Sequence, residues 1–217
     1  MMKSPKGIWD ADDCALILID YQPEMFSGLG SAYPKEIELN VCTIAKAAVA
    51  FNIPIILSTV AVKMGVNRPT IQSLRDILQG VVEIDRTSMD AWEDQAFVEA
   101  VKTTGKTRLV FCALYTEICL TYPVVDAIAD SFEVCFVADA VAGQSVIEHN
   151  TAVSRLIAAG AVPNTTSAMI AECFRDWSSP LASDGREILI SYYEKKANFH
   201  VNEYHSSSKG EVFKEAY

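Results

Sequence analysis

The chain has 217 residues, half of them apolar, with 28 acidic against 18 basic side chains and a formal net charge of −10. That length and apolar share suit one large α/β domain, and an acidic surface with no lysine- or arginine-rich block repels phosphate backbones, which weighs against nucleic-acid binding. The longest apolar runs, such as 109–114 and 53–57, are far too short to span a membrane, and residues 1–10 lack the apolar core of a signal peptide, so a soluble cytoplasmic protein is expected.

In chain order, a Val/Ile-rich run at 14–20 reads as a first strand, followed by a helix over 36–51 and a strand over 53–59. A helix over 70–79 precedes a strand over 82–86. A helix over 91–104 then leads to a strand over 107–113, and one over 116–131 to a strand over 133–138. A helix over 145–159, a strand over 161–165 and a helix over 168–177 complete the alternation. Asp90 with Glu93, and Ser145 with Glu148, have capping-box spacing, while Gly105 and Gly160 fall where helices must stop. The continuous apolar strands imply burial on both faces, and the alternation implies right-handed crossovers. The fold class expected is therefore α/β, a three-layer, six-stranded parallel sheet with helices on both faces in a Rossmann-like order. The domain is expected over 1–195. Residues 196–217 form a C-terminal extension, and 192–217 read as polar and turn-rich, packed on a neighbour or without fixed order.

Ligands of an open parallel sheet bind beyond the carboxyl ends of its strands. Three reactive side chains fall there: Asp20 after the first strand, Arg86 at the end of the third, and Cys119 in the helix after the fourth. With Thr116 as N-cap, Cys119 occupies the first helical turn, where free amides and the helix dipole favour thiolate and can receive an oxyanion. Asp20 could accept the thiol proton and Arg86 could stabilise the charges. Each residue also has a structural reading. Asp20 can be a turn former, Arg86 can pair with Asp85 or Glu83, and Cys119 can pack inward like the cysteines at 14, 42, 112, 135 and 173.

Four stretches give these residues a common context: 15–22 (Ala-Leu-Ile-Leu-Ile-Asp-Tyr-Gln), 90–98 with 101–106, 115–119 (Tyr-Thr-Glu-Ile-Cys), and 172–177 (Glu-Cys-Phe-Arg-Asp-Trp). Through them the chain resembles the isochorismatase-like hydrolases, most closely their YcaC-like branch, from about residue 10 to about 195. The resemblance implies an Asp–Lys–Cys hydrolase acting on amide or related C–N bonds, with Asp20 as base and Cys119 as nucleophile. It also implies a non-proline cis bond between Leu114 and Tyr115, with the amides of Tyr115 and Cys119 facing the oxyanion. The usual lysine corresponds here to Arg86, which keeps the charge but donates no proton at ordinary pH.

Neighbouring activities are less well matched. Nicotinamidases add a metal site of one aspartate and two histidines after the second strand, but residues 58–69 contain neither, so no metal or other cofactor is expected. Isochorismatases proper can lack the cysteine. Gly28 and Gly30 lack the third glycine of a dinucleotide motif. A non-catalytic or redox-responsive oligomer on the same fold is the remaining alternative. Gln22, Phe26 and Trp92 are expected to bind the small-molecule substrate beside Tyr115, with Phe26 and Trp92 equally readable as core. The resemblance further implies a closed homo-oligomer, with an octamer as one such assembly.

Overall fold

The computed structural model describes residues 8–207, with side chains through residue 199. Six strands form one sheet: β1 (Cys14–Ile19), β2 (Ile55–Val60), β3 (Glu83–Arg86), β4 (Arg108–Ala113), β5 (Glu133–Val137) and β6 (Val162–Asn164). Their order is β3-β2-β1-β4-β5-β6 and every neighbouring pair is parallel. All six predicted strands are present.

Side chains alternate across each strand, so β1 sends Cys14, Leu16 and Leu18 to one core and Ala15, Ile17 and Ile19 to the other. The first core lies under α2 (Pro34–Ala50), α3 (Gln72–Ile77) and α7 (Thr166–Phe174), where Ile37, Val41, Leu74 and Ile170 are buried. The second lies under α4 (Gln95–Thr103), α5 (Thr121–Ala129) and α6 (Val146–Ala159), through Phe97, Val101, Val124 and Leu156. This is the expected three-layer arrangement. The short α1 (Pro23–Ser27) follows β1 directly.

Local chemistry sets the boundaries. Ser145 Oγ accepts from Glu148 N–H at 3.3 Å, as the capping-box spacing predicts, whereas the Asp90 carboxylate caps its turn by accepting from Trp92 N–H at 2.8 Å rather than from Glu93. Gly105 and Gly160 close their helices with φ of +66° and +104°. The helix predicted over 91–104 is instead a 3₁₀ turn at Ala91–Glu93 followed by α4, because Asp94 starts a second cap by accepting from Phe97 N–H at 2.9 Å.

The expectation of a turn-rich segment from Tyr192 gives way to a helix, α8 (Ala182–Ser207), which runs past residue 195 without a break. It docks on α2 through Tyr192, whose hydroxyl donates to Asn40 Oδ1 at 3.0 Å and accepts from Lys196 Nζ at 3.0 Å. The part of the extension from 208 onward lies outside the described residues. No described helix is long and apolar enough to cross a membrane.

Candidate active site

The strand order reverses between β1 and β4, one leading out to β2 and β3, the other to β5 and β6. At such a switch point the flanking loops part and leave a crevice beyond the strand ends. Asp20 is the first residue after β1, and Cys119 lies in the turn that follows β4. The topology therefore brings two residues separated by almost a hundred positions to one crevice.

Asp20 is fully buried and has φ of +60°, a left-handed conformation that aspartate tolerates better than most side chains. Its N–H donates to Ser58 O of β2 at 3.0 Å, and its carbonyl accepts from Gln22 N–H at 2.8 Å. Arg86 comes from β3, two strands away. Its side chain crosses the end of β2, where Nη1 donates to Thr59 O at 3.1 Å, and reaches Asp20 with both terminal nitrogens. Nη1 donates to Oδ1 at 2.8 Å and Nη2 to Oδ2 at 2.7 Å. Both side chains have no exposed surface. Burial works against the guanidinium charge, and the Asp20 carboxylate more than restores it, so Arg86 stays cationic. Arg86 thus pairs with neither of its acidic neighbours on β3. Asp85 serves instead as an anchor for the next loop, accepting from Val62 and Lys63 N–H at 2.9 Å each.

Cys119 lies in a π-turn, Thr116–Leu120, closed by a bond from Leu120 N–H to Tyr115 O at 3.1 Å. Tyr115, not Thr116, is the residue that precedes this turn, and the bond joining it to Leu114 is cis. Thr116 is occupied otherwise. Its N–H donates to Ala142 O at 3.0 Å, its carbonyl accepts from Thr121 Oγ1 at 2.6 Å, and its hydroxyl shares a 2.9 Å hydrogen bond with His149 Nδ1. Glu117 accepts from Gln144 N–H at 3.0 Å. These bonds tie the cysteine turn to the start of α6. The bonds to Ala142, Gln144 and His149 were not legible in the sequence, because these partners lie about 25 to 35 positions away and carry no motif.

Cys119 is 6% exposed, and the charges of Asp20 and Arg86 both act on its thiol. Burial and then the Asp20 charge push its thiol well above the usual range, against the smaller opposite pull of Arg86 and the Tyr115 amide. The expectation of a thiolate favoured by a helix start is therefore corrected: removal from water and an adjacent carboxylate outweigh the amides, and the resting thiol is protonated. The Tyr115 phenol is raised by burial and by the charges of Glu117 and Cys119, so it stands near the same turn.

Asp20, Arg86, Cys119 and Tyr115 are thus brought together. The contacts of the other three predicted site residues are with the surrounding fold, although Gly28, two residues after Phe26, faces the Tyr115 hydroxyl. Gln22 is fully buried and its amide is consumed by the backbone: Nε2 donates to Val60 O at 3.2 Å and Arg68 O at 2.7 Å, and Oε1 accepts from Val60 N–H at 3.0 Å. It holds the loop after β2 and has no group left for a ligand. Trp92 donates from Nε1 to Asp130 Oδ2 at 3.0 Å and packs edge-on against Phe132. Asp130 closes the far end of the nine-residue α5, roughly 14 Å along the helix from the cysteine turn. An indole settles where its ring and its N–H both find partners, and here that place is the second core. Phe26 leans on Tyr21, with ring centroids 6.2 Å apart, and packs against the first core.

A family model described as the isochorismatase domain matches residues 14–168. A curated relative, the probable hydrolase YcaC of Escherichia coli strain K12, is 33% identical over 202 residues, covering 88% of this chain and 97% of its own. The solved structure of the Escherichia coli YcaC gene product, described as an octameric hydrolase of unknown specificity, superposes with a TM-score of 0.82. It is 31% identical over 94% of this chain and 99% of that one. YcaC from Pseudomonas aeruginosa, solved with hexane-2,5-diol and covalent acrylamide, gives a TM-score of 0.80 at 28% identity, over 91% of this chain and all (100%) of that one.

Proposed function

We propose that this chain, which belongs to the isochorismatase family, is a cysteine hydrolase that cleaves an amide or related C–N bond of a small molecule. The observation that carries the reading is the buried Asp20 carboxylate, held in place by both terminal nitrogens of Arg86, whose charge acts directly on the Cys119 thiol. A thiol that is neutral at rest needs a base in contact with it, and Asp20 is that base.

In the proposed reaction Asp20 takes the thiol proton as sulfur attacks the carbonyl carbon, and the oxyanion is received by the amides of Tyr115 and Cys119. Collapse of the tetrahedral intermediate breaks the C–N bond, and Asp20 returns its proton to the departing nitrogen. A water molecule then gives a proton to Asp20 as it attacks the thioester. Cleavage of the C–S bond releases the acid, and the proton passes from Asp20 back to sulfur. Arg86 remains charged throughout and fixes the orientation of the base. The 6% exposure of Cys119 leaves a narrow approach, which favours a small substrate.

The test is turnover of a panel of small amides and carbamoyl compounds by the wild type and Cys119→Ala, with intact-mass detection of an acyl-enzyme. Loss of all turnover in the variant, with its circular dichroism unchanged, is the expected result. Unchanged turnover by Cys119→Ala overturns the assignment. By likeness to its octameric relative, the protein is also proposed to be a homo-oligomer, which light scattering on the purified chain checks.

A further inference from the structure

The charges around Cys119 restrict what can be bound there. Arg86 is the cation that bears most strongly on the sulfur, and its terminal nitrogens are already taken. Nη1 and Nη2 are committed to Asp20, with further contacts to Thr59 O at 3.1 Å, Ser58 Oγ at 3.4 Å and Met89 O at 3.5 Å. Nε is sealed from solvent without a partner. The side chain has no exposed surface. The Asp20–Arg86 pair is therefore a closed, electroneutral unit.

Two other cations near the strand ends stand beside carboxylates of their own. Arg68 is bound by Glu24 at 2.7 Å, and Lys63 lies beside Asp85, whose carboxylate takes the Lys63 backbone N–H at 2.9 Å. On the other side of the turn stands a further anion, Glu117, whose charge reaches both Tyr115 and His149. His149 is itself pushed towards its neutral form by burial, against the opposing pull of Glu117. A carboxylate brought to the sulfur would meet the Asp20 charge in desolvated surroundings, with the terminal nitrogens of Arg86 already committed to that charge, where like charges repel far more strongly than in water.

Resting on the reading of Cys119 as nucleophile, we propose that this site selects uncharged acyl substrates and rejects those with a carboxylate next to the scissile bond. The feature responsible is the bidentate Arg86–Asp20 pair, which spends the one guanidinium of the site on the base. A fork of two parallel hydrogen bonds satisfies both oxygens of a carboxylate and occupies the terminal edge of the guanidinium. The substrate class is thus neutral primary or secondary amides and their carbamoyl counterparts.

Iodoacetamide and iodoacetate test this, because they nearly match in size and differ in charge. Each is reacted at high salt with the native protein and with the chain in denaturant, and alkylation of the Cys119 and Cys42 peptides is followed by mass spectrometry. Cys42, the half-buried thiol on α2, reports the general field of the native protein, which salt also screens. The expected result is an iodoacetamide-to-iodoacetate rate ratio at Cys119 at least tenfold higher in the native protein than in denaturant, with a smaller change at Cys42. An unchanged ratio at Cys119, with both reagents reacting, overturns the charge selection while leaving the nucleophile intact. Alkylation of native Cys42 but of Cys119 by neither reagent overturns the nucleophile, and the selection with it.

Discussion

Replacing Arg86 by leucine tests the Asp20–Arg86 unit directly. Both side chains are fully buried, and the pair is joined by two hydrogen bonds of 2.8 and 2.7 Å. Removing the guanidinium leaves a carboxylate out of water with no cation, a change that costs about 3–5 kcal/mol, against a total stability of roughly 5–15 kcal/mol for a domain. Converting Asp20 to asparagine in the same chain removes the stranded charge, and asparagine accepts the +60° φ at that position. The double variant is therefore expected to regain about 2 kcal/mol or more of the loss. Arg86→Lys keeps the charge but gives up one arm of the fork, and should lose about 1.5–3 kcal/mol. Urea denaturation followed by circular dichroism measures all four chains, at one fixed protomer concentration because association shifts apparent stability. A loss below about 1 kcal/mol in Arg86→Leu, or a double variant no more stable than Arg86→Leu, would refute the reasoning.

Burial raises the thiols of Cys112, Cys119 and Cys135, so the folded state holds protons that the unfolded chain releases from about pH 8.5 upward. The unfolded state then binds fewer protons, and stability is full below that range and falls as pH rises through it, by up to about 1.4 kcal/mol per pH unit for each thiol. A urea midpoint unchanged between neutral and strongly alkaline pH contradicts this. Gln22→Ala deletes three hydrogen bonds to buried or half-buried backbone and should destabilise by about 2–3 kcal/mol. KM for any substrate should stay within about twofold, and a large rise in KM without loss of stability would return Gln22 to the ligand. Gly30→Ala places a Cβ 2.2 Å from the backbone carbonyl oxygen of Gln144, which cannot swing aside, so a loss of about 1–3 kcal/mol is expected by the same denaturation assay.

The sheet was legible because its central strands are buried on both faces and so read as continuous apolar runs, while the alternation located the more exposed edge strands β3 and β6. Positions at strand ends were legible for a related reason: topology alone sends them to the crevice, whatever their side chains then do. What the sequence hid is which polar group each side chain meets. Gln22 and Asp20 both follow β1 within two residues of each other, yet one is spent on the β2 loop and the other meets the cysteine. Trp92 matched a family stretch but finds its partner, Asp130, 38 positions on. The helix α8 was missed because its apolar face, from Ala182 through Ile188 and Leu189 to Tyr192, is short and gives way to the charged run 194–196.

The arginine at 86 also sets how protons move. A lysine can in principle lend and recover a proton, whereas a guanidinium with a raised pKa cannot. In the proposed mechanism every proton must therefore pass through Asp20, the carboxylate whose charge acts on the sulfur. Both Asp20 oxygens already accept from Arg86, so the transferred proton has to take a second lone pair on one of them. That arrangement opposes a thiolate at rest, in agreement with the raised thiol. Attack and proton transfer are then coupled in one step of the proposed mechanism, and its rate depends on how closely a substrate carbonyl approaches sulfur while Asp20 is within reach of the proton. Under that mechanism, rigidity of the fork, rather than acidity of the thiol, is what the site contributes to catalysis.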